Sequence, residues 1–94
     1  MATSTRTPEF YAVLRDNIFQ DICAERDRQD AKWGEQNHDD LTWFAIFVEE
    51  VGEISKALIP AGVGGYVDEA NVDEEITQAA AVMVAWMQSR HRNR

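Results

Sequence analysis

Three long stretches of this chain place apolar side chains at helical spacing, with polar punctuation between them. Phe10, Val13, Leu14, Ile18 and Ile22 recur every three or four positions and define one face of a first helix. Thr7 then Pro8 is a start signal, a capping hydroxyl followed by proline at the first helical position. The pattern fades near Asp30 and Gly34 supplies a stop, so this helix is predicted over residues 8–32. The segment from Trp33 to Asp39 is polar and reads as a turn. Asp40 can cap a second helix, with Leu41, Phe44, Ala45, Val48, Val51, Ile54, Ser55 and Leu58 as its apolar face and Pro60 as its end. Asn71 or Asp73 opens a third, running through Ile76, Ala79, Ala80, Met83, Val84 and Met87. This helix is apolar on its other faces too, at Ala81, Val82, Ala85 and Trp86, as expected of a helix buried on several sides. In so short a chain the expected neighbour is another subunit. No strand pattern or internal repeat stands out, so the predicted class is all-α: a compact helical bundle completed by oligomerisation.

Length changes the picture only by limiting it. The 94 residues suit a single domain, residues 1–94, with residues 1–6 loose. The stretch Ala61-Gly62-Val63-Gly64-Gly65 lacks the Lys-Ser/Thr ending and the preceding strand of a phosphate loop, and reads as a connector. Cys23 has no cysteine to pair with and is expected to be a small core residue. The formal charge of −8 argues against a nucleic-acid binder and against an anionic membrane surface. No apolar run is long enough to span a bilayer and no signal peptide is visible, so the cytoplasm is the expected compartment.

The candidate chemistry lies in two acidic clusters. Glu49, Glu50 and Glu53 fall off the apolar stripe of the second helix or at its margin. Asp73, Glu74 and Glu75, followed by Gln78, open the third. Residues three or four apart share a helix face, so Glu50 pairs with Glu53, and Glu75 with Gln78. Packing those faces together gathers carboxylates that repel unless a cation lies between them. Oxygen-only ligand sets of this kind suit Mg²⁺ or Mn²⁺, and the chemistry that commonly follows acts on phosphate.

The spacing Glu50-x-x-Glu53, then Glu75-x-x-Gln78, with Glu49 before the first pair, resembles the MazG-type all-α nucleoside triphosphate pyrophosphohydrolases. The likeness covers most of the chain. The segment from Glu25 to Gly34, with Gln78 to Val82 and Ala85-Trp86, is similar to a phage-associated branch of that family. The resemblance implies cleavage between the α- and β-phosphates of an NTP or dNTP, with Mg²⁺ or Mn²⁺ as cofactor. It implies metal binding by Glu50, Glu53, Glu75 and Gln78. Glu49 and Glu53 are then the catalytic candidates, Glu49 as general base or an additional ligand. Gln78 departs from the aspartate usual at that position: its amide oxygen can bind a hard cation but adds no charge, or it orients a neighbouring glutamate. Glu74 is placed to compensate. The family likeness also implies a homodimer or homotetramer, a purine preference with GTP or dGTP first, and a host-cell cytoplasmic location if phage-encoded.

Arg26, Arg28 and Lys32 are candidate phosphate-binding cations; each is also able to pair with Glu25, Asp27 or Asp30 on an exposed helix. Trp33 either stacks on a base or anchors the turn against the core, and Gln36, Asn37 or His38 are placed to read a base edge. His38 has no nearby cysteine or histidine that would make a zinc site. Trp43 and Trp86 are expected in the core or at an interface. Lys56 follows Glu53 by three positions and tempers the acids. Two other readings remain open: an enzyme like phosphoribosyl-ATP pyrophosphohydrolase, and a non-catalytic helical oligomerisation module.

Overall fold

The computed structural model describes residues 5–60 and 64–94. They form three helices, α1 (Pro8–Trp33), α2 (Asp40–Leu58) and α3 (Glu69–Arg92), with no strand among the described residues. The chain is all-α. Residues 1–4 and most of the proposed glycine connector, residues 61–63, lie outside the described residues.

Local chemistry sets the helix ends. The Thr7 hydroxyl accepts a hydrogen bond from the Phe10 backbone N–H at 3.2 Å, and Pro8 follows as expected. Gly34 ends α1 at φ 70°, a conformation that favours glycine, and donates its N–H to the Asp30 carbonyl at 2.8 Å. The second cap is Asp39, not Asp40: its carboxylate accepts the Thr42 N–H at 2.8 Å. Asp40 is already helical and faces α3, taking the Trp86 Nε1–H at 2.9 Å and lying 3.4 Å from Arg90. The third cap is Asp68, so α3 starts earlier than Asn71 or Asp73 predicts. At α2 and α3 an acid one to five residues upstream of the predicted cap reaches the free N–H groups first.

Helix α3 lies between the other two, packing on both, while α1 and α2 make no helix-to-helix contact with each other. That arrangement buries two sides of α3 inside the chain, while Ile76, Met83 and Met87 on the rest of its surface stay exposed. Val72, Ala79, Ala81, Val82 and Ala85 are buried there, and Trp43 of α2, 2% exposed, fills the space against Val82 and Ala85. Ile46, Phe47 and Trp86 pack around that group.

Helix α2 turns a different face inward from the predicted one. Its α3-facing residues are Trp43, Ile46, Phe47, Glu50, Ile54 and Ala57, all buried or half-buried. Leu41, Phe44, Val48, Val51, Ser55 and Leu58, most of the predicted apolar face, are exposed. The helix carries two apolar stripes, and the aromatic one won because Trp43 and Phe47 fill more space against the small residues of α3. Cys23 is exposed rather than buried, because it points off the α1 stripe that α3 covers. No helix among the described residues is long and apolar enough to cross a membrane.

Candidate functional site

The inward stripe of α2 carries one charged side chain, Glu50. It is half-buried with Trp43 and Phe47 before it and Ile54 after it. Burial first, then the charges of Glu75, Glu53, Glu25 and Glu49, pushes the Glu50 carboxyl above its ordinary 4.5. The Oε2 atom of Glu75 on α3 is buried and has no hydrogen-bond partner among the described residues. An acceptor withdrawn from water without a donor is costly unless something positive satisfies it.

A cleft of about 330 Å³ opens beside Glu50. Its α1 wall is Glu25, Arg28, Gln29, Lys32 and Trp33, and Glu74 and Gln78 come from α3. The geometry thus brings together acids from all three helices. Gln78 donates from its Nε2 to the Glu74 carboxylate at 3.4 Å. Glu53 is half exposed and lies 3.7 Å from Lys56, the cation one turn on. Glu49 is exposed on the flank of α2. Among the described residues, no three acidic, histidine or cysteine side chains stand as a ready-made ion site. The charge pattern nevertheless fits a divalent cation: a half-buried carboxylate crowded by other acids, and an orphaned carboxylate oxygen on Glu75, are both groups that a cation would satisfy.

The predicted substrate residues divide into two groups. Lys32 and Trp33 line the acidic cleft, with the Lys32 ammonium 4.6 Å from the Trp33 ring centre. Trp33 is 56% exposed, so it does not anchor the turn in the core. Arg28 lines the same cleft and pairs with Glu25 at 2.7 Å. Arg26 faces elsewhere: it is held by Asp30 at 2.8 Å, Gln29 at 3.1 Å and Gln88 of α3 at 3.0 Å, and it tethers α1 to α3. Asn37 also lies away from the acids. Its Oδ1 accepts from Arg92 at 2.8 Å and Asn93 at 2.8 Å, which fastens the turn between α1 and α2 to the end of α3. His38 packs edge-on against Trp43, ring centres 5.0 Å apart.

Glu25 joins the site although the sequence reading gives it no site role, only a place in the Glu25–Gly34 segment and a partnership with neighbouring arginines. A signal was present. Ile18, Ile22, Glu25, Gln29 and Lys32 follow one another at spacings of four, three, four and three, so polar residues continue the apolar stripe. Gln29, 8% exposed, is the buried member of that run, and its Nε2 donates to Glu25 at 3.4 Å. Comparison with protein-family models, with curated proteins and with solved structures gives no match to this chain.

Proposed function

We propose that the chain is a divalent-metal-dependent nucleoside triphosphate pyrophosphohydrolase. One observation carries the reading: Glu50, on the inward face of α2, is crowded by Glu75, Glu53 and Glu25 from three helices, and the cleft beside it also holds Lys32 and Trp33. The motif resemblance to MazG-type enzymes supports the same reaction. Glu50, Glu53 and Glu75 would hold Mg²⁺ or Mn²⁺, with Gln78 adding an amide oxygen or steering Glu74. Such an ion, when bound, neutralises phosphate oxygens and acidifies a bound water.

The rest is work for this chain's own side chains. Water attacks the α-phosphorus, and the bond to the bridging oxygen of the β-phosphate breaks, releasing a nucleoside monophosphate and pyrophosphate. Glu49 takes the proton of the attacking water on its carboxylate. Lys32 and Arg28 offer positive charge to the departing pyrophosphate. The exposed indole of Trp33 supplies a stacking plane for the base, worth about 1–3 kcal/mol in comparable stacks.

A panel of NTPs and dNTPs with Mg²⁺ or Mn²⁺, scored for monophosphate and pyrophosphate, tests the reaction. The motif resemblance directs it to purines, guanine first. Glu53→Gln is expected to abolish turnover while leaving the assembly intact. Near-normal hydrolysis by that variant would overturn the assignment. The exposed apolar faces of α1 and α2 favour a second reading, a non-catalytic oligomerisation module. It predicts no rise in melting temperature with Mg²⁺ or Mn²⁺, whereas a site that binds the ion only when folded predicts one.

A further inference from the structure

A second cavity, of about 300 Å³, shares no lining residue with the acidic cleft. It lies where the ends of α1 and α3 meet the start of α2, and its size is at the low end for small-molecule pockets. Trp43 is its most telling wall. That residue is 2% exposed, yet its Nε1–H is buried and has no acceptor among the described residues. Buried indoles ordinarily find a partner, and a donor withdrawn from water without one is destabilising. Trp86 shows the usual outcome, giving its Nε1–H to Asp40 at 2.9 Å.

The charged groups around Trp43 are occupied with one another. Arg26 donates through Nε, Nη1 and Nη2 to Gln88, Gln29 and Asp30. Arg92 lies 3.3 Å from Glu35 and donates to the Gln36 carbonyl and to Asn37. Two cations and two carboxylates therefore cancel within the cavity wall. Two helices end here and one begins, so the backbone dipoles bring no net positive charge either. What remains is two uncharged donors, the Trp43 Nε1–H and the Gln88 side-chain N–H₂, and one acceptor, the Asp30 Oδ2. We propose that this cavity binds an uncharged cyclic amide or urea of the nucleobase kind. Its ring carbonyls take the Trp43 and Gln88 donors and its ring N–H meets Asp30. An anion finds two carboxylates and no unpaired cation there, and an apolar ring leaves Trp43 unmet.

The indole region of a ¹H–¹⁵N correlation spectrum of the full chain, recorded without metal, tests the site. Trp33→Phe and Trp86→Phe identify the Trp43 peak by elimination. Uracil is expected to move that peak saturably. Pyrimidine, the same ring without carbonyl or N–H, and sodium acetate are expected to leave it in place. A shift with uridine as well marks a nucleoside as the occupant; a shift with uracil alone marks a free base. Gln88→Glu keeps the acceptor for Arg26 and removes the donor, so it should weaken uracil by about fivefold or more. Glu53→Gln, which removes a proposed metal ligand, should leave uracil binding unchanged. A peak unmoved by uracil, or moved equally by pyrimidine or acetate, overturns the proposal. So does uracil affinity that survives Gln88→Glu intact or is lost with Glu53→Gln. His38, whose ring centre is 5.0 Å from that of Trp43, also has an unpartnered Nε2. A scalar coupling between the two ring nitrogens in the ligand-free protein would show that they bond each other, and would overturn the proposal too. No metal or turnover enters these measurements, so their failure leaves the pyrophosphohydrolase reading standing.

Discussion

Glu50 sits in a row of residues that are otherwise apolar, and this position gives it two testable properties. The folded chain keeps a proton on Glu50 to higher pH than the unfolded chain, whose carboxyl titrates near 4.5. Its contribution to stability is therefore fullest below 4.5 and is lost as pH rises through the raised folded value. Glu50→Gln removes that loss. The variant is expected to melt above wild type at neutral pH without metal, and to lack the rise in melting temperature that the proposed site predicts for wild type with Mg²⁺ or Mn²⁺. Gln78→Asp should act in the opposite sense. It adds a charge beside Glu74, so it should lower metal-free stability while tightening Mn²⁺ binding, both readable by calorimetry. Trp43 is the structural counterpart of these residues. With 2% of its surface exposed against Val82 and Ala85, Trp43→Ala is expected to cost about 3–5 kcal/mol in urea unfolding.

Helix ends show how much a sequence pattern can say. The first cap, Thr7 before Pro8, was legible because a hydroxyl and a proline in that order leave little choice of start. At the second, two adjacent aspartates both qualify. Only the packing of Trp86 and Arg90 onto Asp40 leaves Asp39 free to cap. Hydrogen bonds from the Thr42 side chain and backbone hold the Asp39 carboxyl below its usual 3.8, so the cap is present above that pH and is lost as pH falls. Asp39→Ala should lower the urea midpoint at neutral pH and have less effect in acid. The two stripes of α2 are a harder case. Periodicity identified one apolar face, but the helix has two, and neither spacing nor hydrophobicity says which of them α3 will cover. The volume of Trp43 and Phe47 decided it. The same choice turned Glu50 inward, so the burial of the central acid could not be read until the neighbouring helix was known.

The class of the whole molecule, three helices and no strand among the described residues, was plain from the pattern alone. Its arrangement was not. A helix that is apolar all round can be buried by its own chain or by another, and here α1 and α2 cover α3 from two sides. The exposed apolar surface thereby lies mainly on the outer faces of α1 and α2, with Ile76, Met83 and Met87 of α3 beside it. The cleft inherits a further property from this layout. It is lined by five residues of α1, by Glu50 of α2 and by Glu74 and Gln78 of α3, and the backbones of α1 and α2 each approach α3 but not each other. Whatever lodges there becomes the mortar between two separately hung walls. Labels on α1 and α2 should therefore report occupancy as a narrowing of their distance distribution, even for a ligand that is never turned over.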